Sequence, residues 1–117
     1  MSNNSSYFLG PGENWDILLD LFSSKGLGDI YFDFRYLNLY LDKDSGSLAE
    51  AFVFKNEDNT FFLPYIKKPI DEEDELWDFE TAYGYSGPLS TTEDLSFLDM
   101  AWKKFVEMAK REGIIAG

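Results

Sequence analysis

The sequence predicts an α+β domain in which a mainly antiparallel, mixed sheet packs with helices. Apolar residues recur at helical spacing near the start, at Trp15, Leu18, Leu19 and Phe22, and near the end, at Leu95, Leu98, Trp102, Phe105 and Ala109. Between these helices, residues 48–55 and 60–66 are two runs rich in aromatic and branched side chains, separated by a four-residue turn, the pattern of a β-hairpin. With 11 Phe, 7 Tyr and 3 Trp in 117 residues, the chain carries ample large side chains for one core. That length suits a single domain.

In chain order, residues 1–12 read as a polar tail. An amphipathic helix follows over 13–24 and closes at Gly26 and Gly28. Residues 29–42 combine alternation at their start with Asp33, a residue able to cap a helix carrying Phe34, Leu37 and Leu41; the reading is a short strand at 30–32 and then a helix. Asn56-Glu57-Asp58-Asn59 supplies the hairpin turn, and Pro64, which cannot donate to a ladder, belongs at an edge or a bulge. Asp71-Glu72-Glu73-Asp74-Glu75 is a run of five carboxylates that resists burial, and it lacks the spaced ligands and central glycine of a calcium loop, so it reads as a solvated connection.

Residues 77–83 form the third strand of the meander and lead into Tyr83-Gly84-Tyr85-Ser86-Gly87-Pro88-Leu89. The last helix is expected over about 92–112. It starts with a capping box at Ser90-Thr91-Thr92-Glu93, is supported by the pairs Asp99 with Lys103 and Glu107 with Arg111, and ends at Gly113. A helix laid on a sheet normally returns into a strand, and Ile114-Ile115-Ala116-Gly117 is the apolar start of one. Residues 13–117 thus read as one domain portion cut before its next strand, in the order β-α-α-β-β-β-α.

Composition excludes several function classes. A net charge of -12, from 22 acidic and 10 basic residues, opposes the electrostatic attraction that drives binding to nucleic acid, so no direct nucleic-acid contact is expected from this segment. No apolar run is long enough for a membrane span, and the first residues lack the basic start and apolar stretch of a signal peptide, which makes a cytoplasmic location the default. The absence of Cys and His removes disulfides, thiolate nucleophiles, histidine bases and the usual zinc ligands. No metal and no cofactor are therefore expected in this chain.

The glycine-punctuated segment before the last helix is the candidate site. Glycines let backbone approach a ligand closely, and a helix N-terminus presents unpaired N–H groups. Against this, the capping box uses some of those donors, Pro88 has none, and Glu93 and Asp94 place negative charge where a phosphate would sit. A tight strand-to-helix turn and a ligand contact are both compatible with these residues.

The arrangement of strand, two helices, three-stranded meander, glycine loop and helix resembles the first half of the GNAT (acyl-CoA N-acyltransferase-like) superfamily. The string Asp78-Phe79-Glu80-Thr81-Ala82-Tyr83-Gly84-Tyr85-Ser86-Gly87-Pro88-Leu89 is similar to a segment of its Fem-type branch, the aminoacyltransferases that build peptidoglycan cross-bridges. Asp29-Ile30-Tyr31-Phe32, Tyr36, Leu37, Tyr40, Trp102 and Phe105 add to the likeness, which spans roughly residues 15–117. The resemblance implies a partial GNAT fold, an acyl-CoA or aminoacyl-tRNA donor for the complete protein, and a C-terminal portion that completes the cleft. The superfamily cradles the CoA pyrophosphate with an Arg or Gln followed by spaced glycines. Residues 83–88 hold no basic residue and no Gly-x-Gly, which argues against that role for this loop.

Acyl transfer to an amine requires the amine deprotonated, the carbonyl polarised and both reactants aligned. With histidine absent, the candidate substrate-contacting residues are Asp78, Glu80, Tyr83, Gly84, Tyr85 and Gly87, and no catalytic residue is assigned. Each has an ordinary structural role as well: Asp78 and Glu80 share one face of a half-exposed strand, and the tyrosines can pack with their hydroxyls at the surface. Two further functions stay open. One is a non-catalytic module that docks a basic partner through residues 71–75; the other is a carbohydrate-binding domain with Trp77, Tyr83 and Tyr85 as a stacking platform. An exposed sheet edge also raises the expectation of a homo-oligomer.

Overall fold

A computed structural model describes residues 4–24, 46–56, 59–71, 76–80 and 89–116. Their elements are β1 (Ser5–Leu9), α1 (Glu13–Ser24), β2 (Leu48–Lys55), β3 (Thr60–Asp71), β4 (Leu76–Glu80), β5 (Leu89–Ser90), α2 (Leu95–Arg111) and β6 (Ile114–Ala116). The strands form one mixed sheet in the order β1-β2-β3-β4-β6, with β5 also paired to β3. All pairings are antiparallel except β4 with β6. The α+β class and the mainly antiparallel mixed sheet are thus present.

Strand alternation divides the core into two layers. Ala49, Ala51 and Val53 of β2, with Phe62 and Ile66 of β3, face α1 and enclose Trp15, Leu18 and Phe22. The intervening residues Phe52, Phe54, Phe61, Leu63 and Tyr65 face α2 and meet Phe97, Ala101, Phe105 and Ala109. Size is complementary across both interfaces. The large rings of α1 lie over the small residues of β2, whereas the alanines of α2 admit the phenylalanines of β2 and β3. Trp15 and Phe22 both contact the Phe62 ring, at centroid distances of 5.6 and 6.1 Å, and Phe105 lies 5.2 Å from Phe52.

The element order differs from the predicted β-α-α-β-β-β-α. The first strand is Ser5–Leu9, within the segment read as a polar tail, and it pairs with β2 from Ser5 opposite Lys55 to Leu9 opposite Ala51. Serine and asparagine masked the apolar triplet Tyr7-Phe8-Leu9, whose partners lie more than forty residues away in sequence. The predicted strand at 30–32 and the helix after it lie outside the described residues, as does the acidic run 72–75. The predicted helix at 13–24 and the hairpin at 48–55 and 60–66 coincide with α1, β2 and the first part of β3.

The start of the last helix also differs. The N-cap is Asp94, whose carboxylate accepts the Ser96 N–H at 2.9 Å. Ser90 instead closes a local turn: its hydroxyl donates to the Thr92 carbonyl, and Thr92 Oγ1 accepts the Asp94 N–H. Glu93 therefore precedes the helix. The buried stripe is rotated from the predicted one, because Phe97 and Ala101 are buried while Leu95 is 80% and Trp102 38% exposed. Gly113 ends the helix in the left-handed region, at φ 76°, and the chain then returns into β6 beside β4.

Candidate functional site at an interrupted strand

β4 and β5 both run antiparallel to β3 and lie along the same side of it. The β3–β4 ladder reaches Glu80 opposite Ile66, and the ladder resumes with Leu89 opposite Phe62. They are two halves of one strand line, separated by residues 81–88. The residues that flank this segment are fixed about four residues apart on β3, roughly 13 Å along a strand. Pro64 falls within the gap. β2 pairs with it through Ala51, and its position on β3 lies between the described ladders of β4 and β5.

Side-chain hydrogen bonds secure the far end of the interruption. Thr91 donates its N–H to the Thr60 carbonyl at 3.0 Å, and its hydroxyl accepts the Thr60 N–H at 2.9 Å and donates to Asn59 at 3.1 Å. Asn59 is itself held in the hairpin turn by Asn56, whose side-chain oxygen accepts its N–H at 2.7 Å. On the near side Glu80 pairs with Ile66 of β3, and the rest of β4 is flanked by β6: the Trp77 N–H donates to the Gly113 carbonyl at 2.7 Å, and Trp77, Asp78 and Phe79 lie opposite Ile114, Ile115 and Ala116.

Of the predicted site residues, Asp78 and Glu80 lie on β4. Asp78 is half-buried, opposite Lys68 of β3 and Ile115 of β6. Glu80 closes the strand opposite Ile66. Tyr83, Gly84, Tyr85 and Gly87 lie outside the described residues.

A polar cluster that the sequence reading did not single out lies on the α2 face of the same sheet. Glu50 is the cross-strand partner of Tyr65 and accepts its hydroxyl hydrogen at 2.5 Å. The second Glu50 oxygen meets Lys67 Nζ at 2.9 Å, with only 17% and 15% of the two side chains exposed. The same ammonium lies 4.6 Å from the centre of the Trp77 ring, a cation–π contact that ties β3 to β4. Hairpin register would have revealed the first pair: a turn at 56–59 sets Lys55 against Thr60 and therefore Glu50 against Tyr65.

The electrostatics of this cluster define its chemistry. Burial, reinforced by the neighbouring Glu50 charge, pushes the Tyr65 hydroxyl far above the usual tyrosine range. It is a permanent proton donor to Glu50, not a nucleophile or a base. Asp78 directly follows Trp77, so strand alternation sends it to the opposite face, and the cluster and Asp78 do not converge. Among the described residues, no three His, Cys, Asp or Glu side chains group in a way that could hold a metal ion. No described helix is long and apolar enough to cross a membrane.

No protein-family model, curated protein or solved structure matches the chain.

Proposed function

We propose that this chain is the N-terminal portion of an N-acyltransferase of the GNAT and Fem kind, which transfers an acyl or aminoacyl group to an amine. The observation that supports this reading is the β4-α2-β6 unit, the one parallel crossover among the described strands of a sheet that is otherwise antiparallel. In open α/β arrangements ligands bind outside the carboxyl ends of parallel strands. The carboxyl end of β4 is Glu80, and the glycine-tyrosine segment continues from it. Substrate contacts are assigned to Asp78, Glu80, Tyr83, Gly84, Tyr85 and Gly87. The donor is acyl-CoA or aminoacyl-tRNA, held mainly by the C-terminal portion of the complete protein in the cytoplasm.

The carbohydrate-platform alternative has less support, because Trp77 is half-buried and one ring face is occupied by Lys67. The test of the acyltransferase reading is transfer of labelled acyl groups from acyl-CoA, and separately of labelled amino acids from aminoacyl-tRNA, by the protein with its natural continuation. One donor class should support transfer to amine acceptors. Glu80→Gln and Tyr85→Ala should then each lower kcat/KM by about 10²-fold with an unchanged unfolding midpoint. Inactivity with both donors would remove the assignment.

A further inference from the structure

We infer that the outer edge of β1 pairs with β1 of a second copy of this chain, extending the two sheets into one. This stands apart from the acyltransferase reading. Among the described residues β1 is an outermost strand whose ladder partner is β2, and its five residues pair in continuous register without a bulge. An edge strand displays a row of backbone donors and acceptors, and monomeric proteins blunt such edges with charge, proline or a bulge. Ser5-Ser6-Tyr7-Phe8-Leu9 has none of these. The other edge, β6, has three residues against five in β1.

The surface beside β1 identifies the partner. A groove of about 360 Å³ runs along the α2 face of the edge, lined by Asn4, Ser6 and Phe54 on the sheet and by Met100, Lys103, Lys104 and Glu107 on the helix. Met100 is exposed there and accepts a contact from the Asn4 amide. A chain of net charge -12 repels its own copies over most of its surface. Among the described residues this flank is less acidic than the chain as a whole: β1 is uncharged, and α2 carries four cations against two carboxylates. The cations of the groove are balanced locally, Lys103 by Asp99 at 2.8 Å and Lys104 by Glu107 at 3.6 Å. A twofold axis normal to the sheet at β1 pairs the strands antiparallel, keeps both α2 helices on one face and joins the two grooves. A strongly basic partner would find few uncompensated carboxylates here; a second copy meets a matching strand and a neutral rim.

Analytical ultracentrifugation of the purified protein over a concentration series tests this. The expected result is a monomer–dimer equilibrium that moderate salt does not weaken, because salt screens the repulsion between like-charged copies. Ser6→Glu, which adds a carboxylate beside Lys103 and Lys104 in each monomer but sets two carboxylates near each other across the twofold, should shift the species to the mass of one chain, with an unfolding midpoint that matches the natural protein diluted to its monomeric form. The chain has no cysteine, so Ser6→Cys introduces a single thiol; a short bismaleimide should then yield a covalent dimer. A monomer up to hundreds of micromolar, or a dimer indifferent to Ser6→Glu and not captured by the bismaleimide, would overturn the proposal.

Discussion

Tyr65 is the residue whose surroundings make the sharpest demand on solution behaviour. Its hydroxyl ionises far above the ordinary value in the folded protein, because burial and the adjacent Glu50 carboxylate both oppose the phenolate. The unfolded chain titrates near pH 10. Below pH 10 both states hold the proton and the stabilisation is complete; above it only the unfolded state releases the proton. Stability should therefore fall by about 1.4 kcal/mol per pH unit above pH 10 from this residue. Urea titrations at several alkaline pH values should show that slope in the natural protein and a shallower one in Tyr65→Phe. The partner Glu50 is as exacting. Glu50→Gln leaves the Lys67 ammonium without its carboxylate in a largely buried site and weakens the Tyr65 hydrogen bond, so the loss should be about 2–3 kcal/mol by urea unfolding. None of this was visible as a motif, because the three residues are separated in sequence and meet only through hairpin register.

Among the elements, α2 shows best what periodicity reveals and what it leaves out. The helix itself was legible from its apolar repeat and its ion pairs, and Gly113 from its place at the end. Its rotation was not, because Leu95 and Trp102 fit the same repeat as the buried residues, and Ala101 contributes to packing by being small. Trp102 still has an aromatic partner: its ring meets Phe61 edge-on at 5.6 Å, which lets a partly exposed indole serve the core. The cap was misplaced for a related reason, since Ser90, Thr92 and Asp94 all suit an N-cap and the strand pairing of Ser90 with Phe61 leaves that role to Asp94. Asp94→Ala should cost about 1 kcal/mol. Gly113→Ala should cost a similar amount, about 1 kcal/mol, because φ is 76° there. Thermal or urea unfolding of each variant checks both values. For the site, Asp78 and Glu80 were placed on a strand before the glycine segment, and β4 carries both. The interruption was not readable, since β5 has two residues and no periodicity of its own.

At the scale of the whole molecule, two cores share one sheet. Phe62 anchors the α1 layer and its neighbours Phe61 and Leu63 the α2 layer, so neither layer can loosen without disturbing the backbone of the other. Unfolding should be a single transition in which tryptophan fluorescence and far-ultraviolet circular dichroism coincide. Phe62→Ala, which removes the ring that both Trp15 and Phe22 contact, should lower stability by about 3–5 kcal/mol. A second, earlier transition in fluorescence alone would show that the layers melt separately.

The break between β4 and β5 has a consequence for how this scaffold tolerates change. Both banks of the break are anchored to β3, one through Glu80 and Ile66 and the other through Leu89 and Phe62. Residues inserted or deleted between the banks need not alter the register of either half. The position is thus a natural graft point, where the length and composition of the joining segment can be varied while the two anchored banks stay in place.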